Sequence, residues 1–176
     1  MYIVTGGAGF IGSQIVRGLN ERGVDDILVV DDLSRGEKFF NLNDCTIADY
    51  MDIEEFEKEI ARSGPKADIS AVLHQGACTD TMEFDGRYMM RVNFSFSKKV
   101  LGLALSRKAP LVYASSASVY GANTEFAEKP ENELPINVYA YSKLAFDQHV
   151  RRILPHAEST IVGLRYFNVY GARETF

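Results

Sequence analysis

The sequence has no run of like charges and no basic stripe; 19 Lys and Arg stand against 24 Asp and Glu, for a net charge of −5. Nucleic acid and an anionic membrane surface are therefore not expected as partners. No apolar stretch approaches the roughly 20 residues that span a bilayer. The apolar opening at 2–4 is cut at once by glycines, so no signal peptide is expected. Cysteine is scarce: Cys45 and Cys78 stand far apart and in no metal-ligand spacing. They are expected as reduced thiols in a cytoplasmic protein, with no metal site. There is no internal repeat and no low-complexity segment. What remains is 176 residues, 46% hydrophobic and 24% charged, enough for one globular domain with a substantial core.

Short apolar runs alternate with helical stretches along the chain. Strands are expected at 2–5, 27–31, 71–75, 111–115 and 160–166, with a short one at 46–48. Val29 and Val30 lie in a continuous apolar run of the kind that fills a buried parallel sheet. Helices are expected at 10–22, where Ile11, Ile15 and Leu19 recur at helical spacing, at 53–62, at 86–108 and at 137–154. Asp52 is placed to cap the second of these, with Glu55 in the capping-box position. The acidic stretch 123–134, with Pro130, reads as a surface loop. This alternation predicts an α/β fold: a Rossmann-type, doubly wound parallel sheet with helices on both faces.

The first strand runs into Thr5-Gly6-Gly7-Ala8-Gly9-Phe10-Ile11-Gly12, where a helix opens at once. Glycines there permit a tight turn, a close backbone approach to a pyrophosphate, and close packing of helix on strand. The helix N-terminus then turns its free N–H groups toward the phosphates. Asp31 ends the next strand 19 positions after Gly12, a spacing that suits a carboxylate accepting from an adenosine ribose. Asp31 and Asp32 favour the free 2′-hydroxyl of NAD. Arg35 and Lys38 follow closely and can neutralise the 2′-phosphate of NADP, so the residues alone leave both open.

A second constellation is Ser115-Ser116 at a strand end, followed by Tyr139-Ala-Tyr-Ser-Lys143 at a helix start. Tyr139 and Lys143 are four apart and share a helix face. An ammonium beside a phenol favours phenolate, which can take a proton from a hydroxyl while a nicotinamide takes the hydride. Ser116 would hold the same oxygen. Tyr141 points elsewhere on the helix. His74 is expected as a packed structural residue, His149 and His156 as surface residues, and the Met89-Met90 pair as core or interface.

Together these stretches resemble the extended short-chain dehydrogenase/reductase family: TGGAGFIG, VLHQGA at 72–77, Asn93 in VNFSFS, YASSASVYG at 113–121, YAYSK at 139–143 and RYFNVYGAR at 165–173. The segments 41–52, 74–90 and 164–174 are similar to the branch that inverts C6 of an ADP-linked glycero-manno-heptose. The resemblance implies an isomerase for which an ADP-heptose-type sugar nucleotide is the substrate and NADP the cofactor, with NAD the alternative. It implies catalysis by Tyr139, Lys143 and Ser116. Cofactor contacts are implied for Gly6, Gly9, Phe10, Ile11, Gly12, Asp31, Asp32, Lys38, Gln75, Gly76, Ala77, Cys78, Thr79, Asn93, Lys143 and Val169. Substrate contacts are implied for Ser116 and Asn168. The chain departs from the pattern at Asp32, where an asparagine is expected, and at Ile53, where a lysine is expected. The family also carries a C-terminal substrate portion with a second acid/base lysine. Residues 1–176 are therefore expected to be its dinucleotide-binding domain alone, inactive without the rest, from an enzyme that is a homo-oligomer touching through its long helices. The rival readings are a 4-epimerase of the same family and a non-catalytic dinucleotide-binding module. A 4,6-dehydratase fits less well, because Ala117 and Ser118 stand where its acidic pair belongs.

Overall fold

The computed structural model describes residues 1–174. Six parallel strands form one sheet: β1 (Tyr2–Thr5), β2 (Ile27–Asp31), β3 (Asp49–Asp52), β4 (Ala71–His74), β5 (Leu111–Ser116) and β6 (Ile161–Tyr166), in the order β3-β2-β1-β4-β5-β6. The chain winds outward from β1 in both directions. That reversal leaves a crevice beyond the carboxyl ends of β1 and β4, where ligands bind in open sheets of this kind.

Alternate residues of each strand feed two different cores. Ile3, Leu28, Val30, Val72, Leu111 and Tyr113 face α2 (Ile53–Arg62), α4 (Phe96–Ser106) and α5 (Val138–Ile153), packing with Phe56, Val100, Leu101, Phe146 and Val150. Val4, Ile27 and Val29 face α1 (Phe10–Asn20) and its Val16. Each large apolar side chain fully withdrawn from water in this way contributes about 1.5–3 kcal/mol. Both faces thus carry helices, as the alternation predicts. The α1 face is the less covered, and Val162 and Leu164 of β6 stay partly exposed there.

Several boundaries differ from the sequence reading. The third strand lies at Asp49–Asp52, not 46–48, because Asp49 to Asp52 pair with Leu28 to Asp31. It is an edge strand whose Tyr50 and Met51 serve opposite cores, so it lacks the continuous apolar run of its neighbours. Helix α1 stops at Asn20, and the C-terminal helix runs from its cap at Asn137 to Ile153. Asp52 does cap α2, accepting from the Glu54 N–H at 2.8 Å, but the reciprocal bond from Glu55 is not formed. The long helix expected at 86–108 is α3 (Gly86–Met90), a wide π turn over Arg91–Ser95, and α4. The acidic loop is not wholly at the surface, since Asn132 and the Glu133 side chain are buried. His149 is half-buried, edge-on to Phe94.

Candidate active site

The glycine loop is shaped by contacts that admit no side chain. Gly6 sits at φ +68°, and a Cβ there would come within 2.6 Å of the Gly76 backbone. At Gly12 a Cβ would lie 2.0 Å from the Gly6 carbonyl oxygen, so helix and loop close on each other only without one. Gly9 caps α1 and offers no side-chain hydrogen bond, which leaves the helix N-terminus open to an anion. Asp31 is 4% exposed and accepts from the Ala8 N–H at 2.8 Å, from the Asp32 N–H at 2.7 Å and from Lys38 Nζ at 2.9 Å. It braces the loop rather than standing free at the cleft. Asp32 lies half-buried further out, and hydrogen bonds from Ser34 hold its carboxyl below the usual range.

Beyond the strand ends lies a cleft of about 910 Å³. One wall carries Phe10 and Ile11 from α1, with Gln75, Ala77 and Thr79 after β4; the other carries Ser116, Tyr139 and Lys143, with Asn168 and Val169 after β6. Three residues that the sequence spaced as a catalytic group therefore meet in one place. Asn137 caps α5 by accepting from the Ala140 N–H at 2.8 Å, which starts the helix so that Tyr139 and Lys143 face the end of β5. Lys143 Nζ donates to the Ala114 carbonyl at 3.0 Å. Burial lowers the Lys143 pKa to about 8, with Asp147 and Cys78 pulling the other way. Ser116 Oγ accepts from the Ser118 N–H at 3.1 Å, which leaves its proton for another partner.

Not every expected contact is in the cleft. Gly6, Gly9, Gly12 and Gly76 form the loop and its backing, and Asp31, Asp32 and Lys38 lie outside the cleft lining. Cys78 and Asn93 are also displaced from it. The Asn93 amide is 1% exposed and fully engaged: it accepts from the Cys78 N–H at 2.8 Å and donates to the Cys78 carbonyl at 2.9 Å and to Ser142 Oγ at 3.0 Å. The wide turn at Arg91–Ser95 carries it there, a helix irregularity often met beside functional sites. Asn93 thus holds the 75–79 stretch in place from behind. His74 is buried between Thr5 Oγ1 at 2.6 Å and Ser97 Oγ at 2.8 Å, a structural residue as its setting predicts.

The sequence reading missed Tyr166, Phe167, Tyr170 and Glu174, which also line the cleft. They flank Asn168 and Val169, and all four fall within the segment 164–174 that carries the resemblance. After β6 the chain doubles back: Gln14 Nε2 donates to the Ala172 carbonyl at 2.8 Å, and Arg173 grips Asp44 in a two-pronged ion pair at 2.5 and 2.6 Å. Residues 167–174 therefore form a strap from the end of β6 to α1 and the 41–45 segment.

A strand–glycine loop–helix start, a brace at the end of β2, and a Ser/Tyr/Lys group between the end of β5 and α5 define a protein of the extended short-chain dehydrogenase/reductase type. The model of the NAD dependent epimerase/dehydratase family matches residues 2–176, and the chain belongs to that family. Among solved structures it is similar to the ADP-L-glycero-D-manno-heptose-6-epimerase of Helicobacter pylori, at 34% identity and a TM-score of 0.85, over 98% of this chain and 56% of that one. It is also similar to the UDP-glucose 4-epimerase of Thermotoga maritima, solved with UDP-glucose, at 30% identity and TM-score 0.84, over 99% and 57%. The UDP-glucose 4-epimerase of Thermus thermophilus, a complex with NAD, matches at 28% identity and TM-score 0.83, over 99% and 57%. The chain thus spans little more than half the length of these structures. Among the described residues no helix is long and apolar enough to cross a membrane.

Proposed function

We propose that this chain is the dinucleotide-binding part of a cytoplasmic sugar-nucleotide epimerase acting at C6 of an ADP-linked glycero-manno-heptose. The observation that supports it best is the meeting of Ser116, Tyr139 and Lys143 in one cleft with the open end of α1. The cleft also suits a dinucleotide in its polar chemistry. Gln75 lines it with both amide atoms buried and without a hydrogen-bond partner, a cost that a polar ligand group can remove.

Phe10, Ile11, the 75–79 stretch, Lys143 and Val169 would hold the cofactor, and Asn168 and Ser116 the sugar. When bound, the dinucleotide supplies a hydride acceptor that returns the hydride to the opposite face of a transient ketone, with no net redox change. Ser116 Oγ orients the reacting hydroxyl. Tyr139 would take the hydroxyl proton in one half-reaction, and the second acid/base lysine that the resemblance implies for the C-terminal portion would return a proton in the other. Lys143, one turn along the same helix face, would lend its positive charge to that proton exchange. Tyr166 and Phe167 line the same cleft beside Asn168.

At the ribose end the resemblance points to NADP, while three features favour NAD. Lys38 is already spent on Asp31 and on the Asp32 carbonyl at 2.7 Å. Ile53 packs against the core instead of offering a cation. Asp32 is held ionised where a 2′-phosphate would sit near it. Calorimetric titration with each dinucleotide decides between them, and the geometry calls for tighter binding of NAD.

The activity test presents the enzyme with the ADP-heptose and with UDP-glucose and follows inversion by NMR. Inversion at C6 of the heptose supports the reading. Inversion only at C4 of the UDP-sugar moves the enzyme to the 4-epimerases. Dinucleotide binding with neither reaction leaves a binding module. Residues 1–176 alone are proposed to bind dinucleotide and turn over no sugar.

A further inference from the structure

Asp147 lies on α5 one turn beyond Lys143 and is 5% exposed. Its carboxylate accepts from Tyr113 Oη at 2.9 Å and from Ser115 Oγ at 2.7 Å, both on β5. Arg165 of β6 faces it at 3.5 Å, and Arg151 of α5 hydrogen-bonds its carbonyl at 3.4 Å. Glu133 binds both of these arginines, so much of their charge is already answered. Lys143, for its part, meets the Ala114 carbonyl between those two β5 residues, with Cys78 the other acidic group near it. His74 behind it is neutral, since burial and the Lys143 charge lower its pKa to about 3. Four successive β5 residues, 113 to 116, thus end in either α5 or the cleft.

We propose that Asp147 is the positioning residue of the Ser116–Tyr139–Lys143 group: its carboxylate pins the end of β5 to α5 and sets an acidic group one helical turn from Lys143. This rests on the reading that Lys143 serves Tyr139 in the proposed epimerase. The two anchors, Lys143 on Ala114 and Asp147 on Tyr113 and Ser115, fix how far α5 is turned and slid relative to the strand that carries Ser116. A neutral residue at 147 can keep the hydrogen bonds but not the charge. Burial pushes the Asp147 carboxyl up, and its two hydroxyl donors and two arginines oppose that. Asp147 thus sets its carboxyl one helical turn from a lysine whose ammonium form burial alone disfavours.

The test is an NMR titration of the Lys143 13Cε resonance in this chain, without substrate. In Asp147→Asn the midpoint is expected to fall by about one unit from the wild-type value, while Asp147→Glu keeps it close to wild type. An unchanged midpoint in a folded Asp147→Asn protein overturns the proposal and leaves Asp147 a packing residue. Should that variant not fold, the unmutated chain answers instead. Its Lys143 resonance should show a second inflection at the pH where the Asp147 13Cγ resonance titrates, and its absence overturns the proposal equally. Because no sugar is present, a failed epimerase assay does not touch this result, nor does a failed titration touch the assay.

Discussion

At the scale of single residues, the site is governed by groups held from water in a chosen charge state. Tyr139 is the proton carrier of the proposed reaction, so Tyr139→Phe in the complete enzyme should lower kcat by about 100-fold or more while dinucleotide affinity stays the same. A binding module would be indifferent to that change. His74 shows the opposite use of burial. Its folded pKa of about 3 lies below the unfolded value of 6.5, so the stability it contributes is full above pH 6.5 and is lost as pH falls toward 3. That window should show a slope of about 1.4 kcal/mol per pH unit, and His74→Gln should flatten it in urea unfolding measured across the range. Ser116, Tyr139 and Lys143 were legible in the sequence because helical spacing and a strand end are local features. Asp147 was not: its partners Tyr113 and Ser115 are more than thirty positions away, and nothing in the periodicity of α5 sets an inward carboxylate apart from a surface one.

At the scale of elements, the junctions matter more than the strands themselves. The turn between β1 and α1 closes only because Gly6 and Gly12 lack side chains. Gly12→Ala drives a methyl into a backbone oxygen that has nowhere to go. It should destabilise the chain by about 1–3 kcal/mol and abolish dinucleotide binding, as read by thermal unfolding with and without cofactor. Buried strands β1, β2, β4 and β5 were legible from their continuous apolar runs. The edge strand β3 was misplaced, because its two apolar residues, flanked by Asp49 and Asp52, make too short a run to mark it, and pairing with β2 sets its bounds. The wide turn that splits α3 from α4 was invisible for a similar reason. It exists to bring Asn93 to Cys78 and Ser142, across gaps of 15 and 49 residues.

At the scale of the whole molecule, the doubly wound parallel sheet and its two-sided helical cover could be read from the β–α alternation, since buried apolar runs separated by helices leave few other arrangements. The course of 167–174 could not be read, because it depends on contacts with residues over 120 positions earlier. The strap ends at Arg173, which takes a left-handed φ of +73°, a conformation kept only where surrounding contacts compensate for it. Its ion pair with Asp44 is two-pronged and its guanidinium is mostly buried, though Asp44 itself stays exposed. An enzyme that takes electrons from its substrate and hands them straight back has no use for exchanging its carrier with the surroundings. In the proposed epimerase, a strap running from β6 to α1 beside the cleft would make departure, rather than arrival, the slow event. Arg173→Ala should therefore speed dinucleotide release by about tenfold, roughly the worth of one such charge-assisted pair, while leaving the association rate nearly unchanged in a stopped-flow chase. A cell in which nicotinamide pools swing between oxidised and reduced would then leave this protein's own redox state undisturbed over many turnovers.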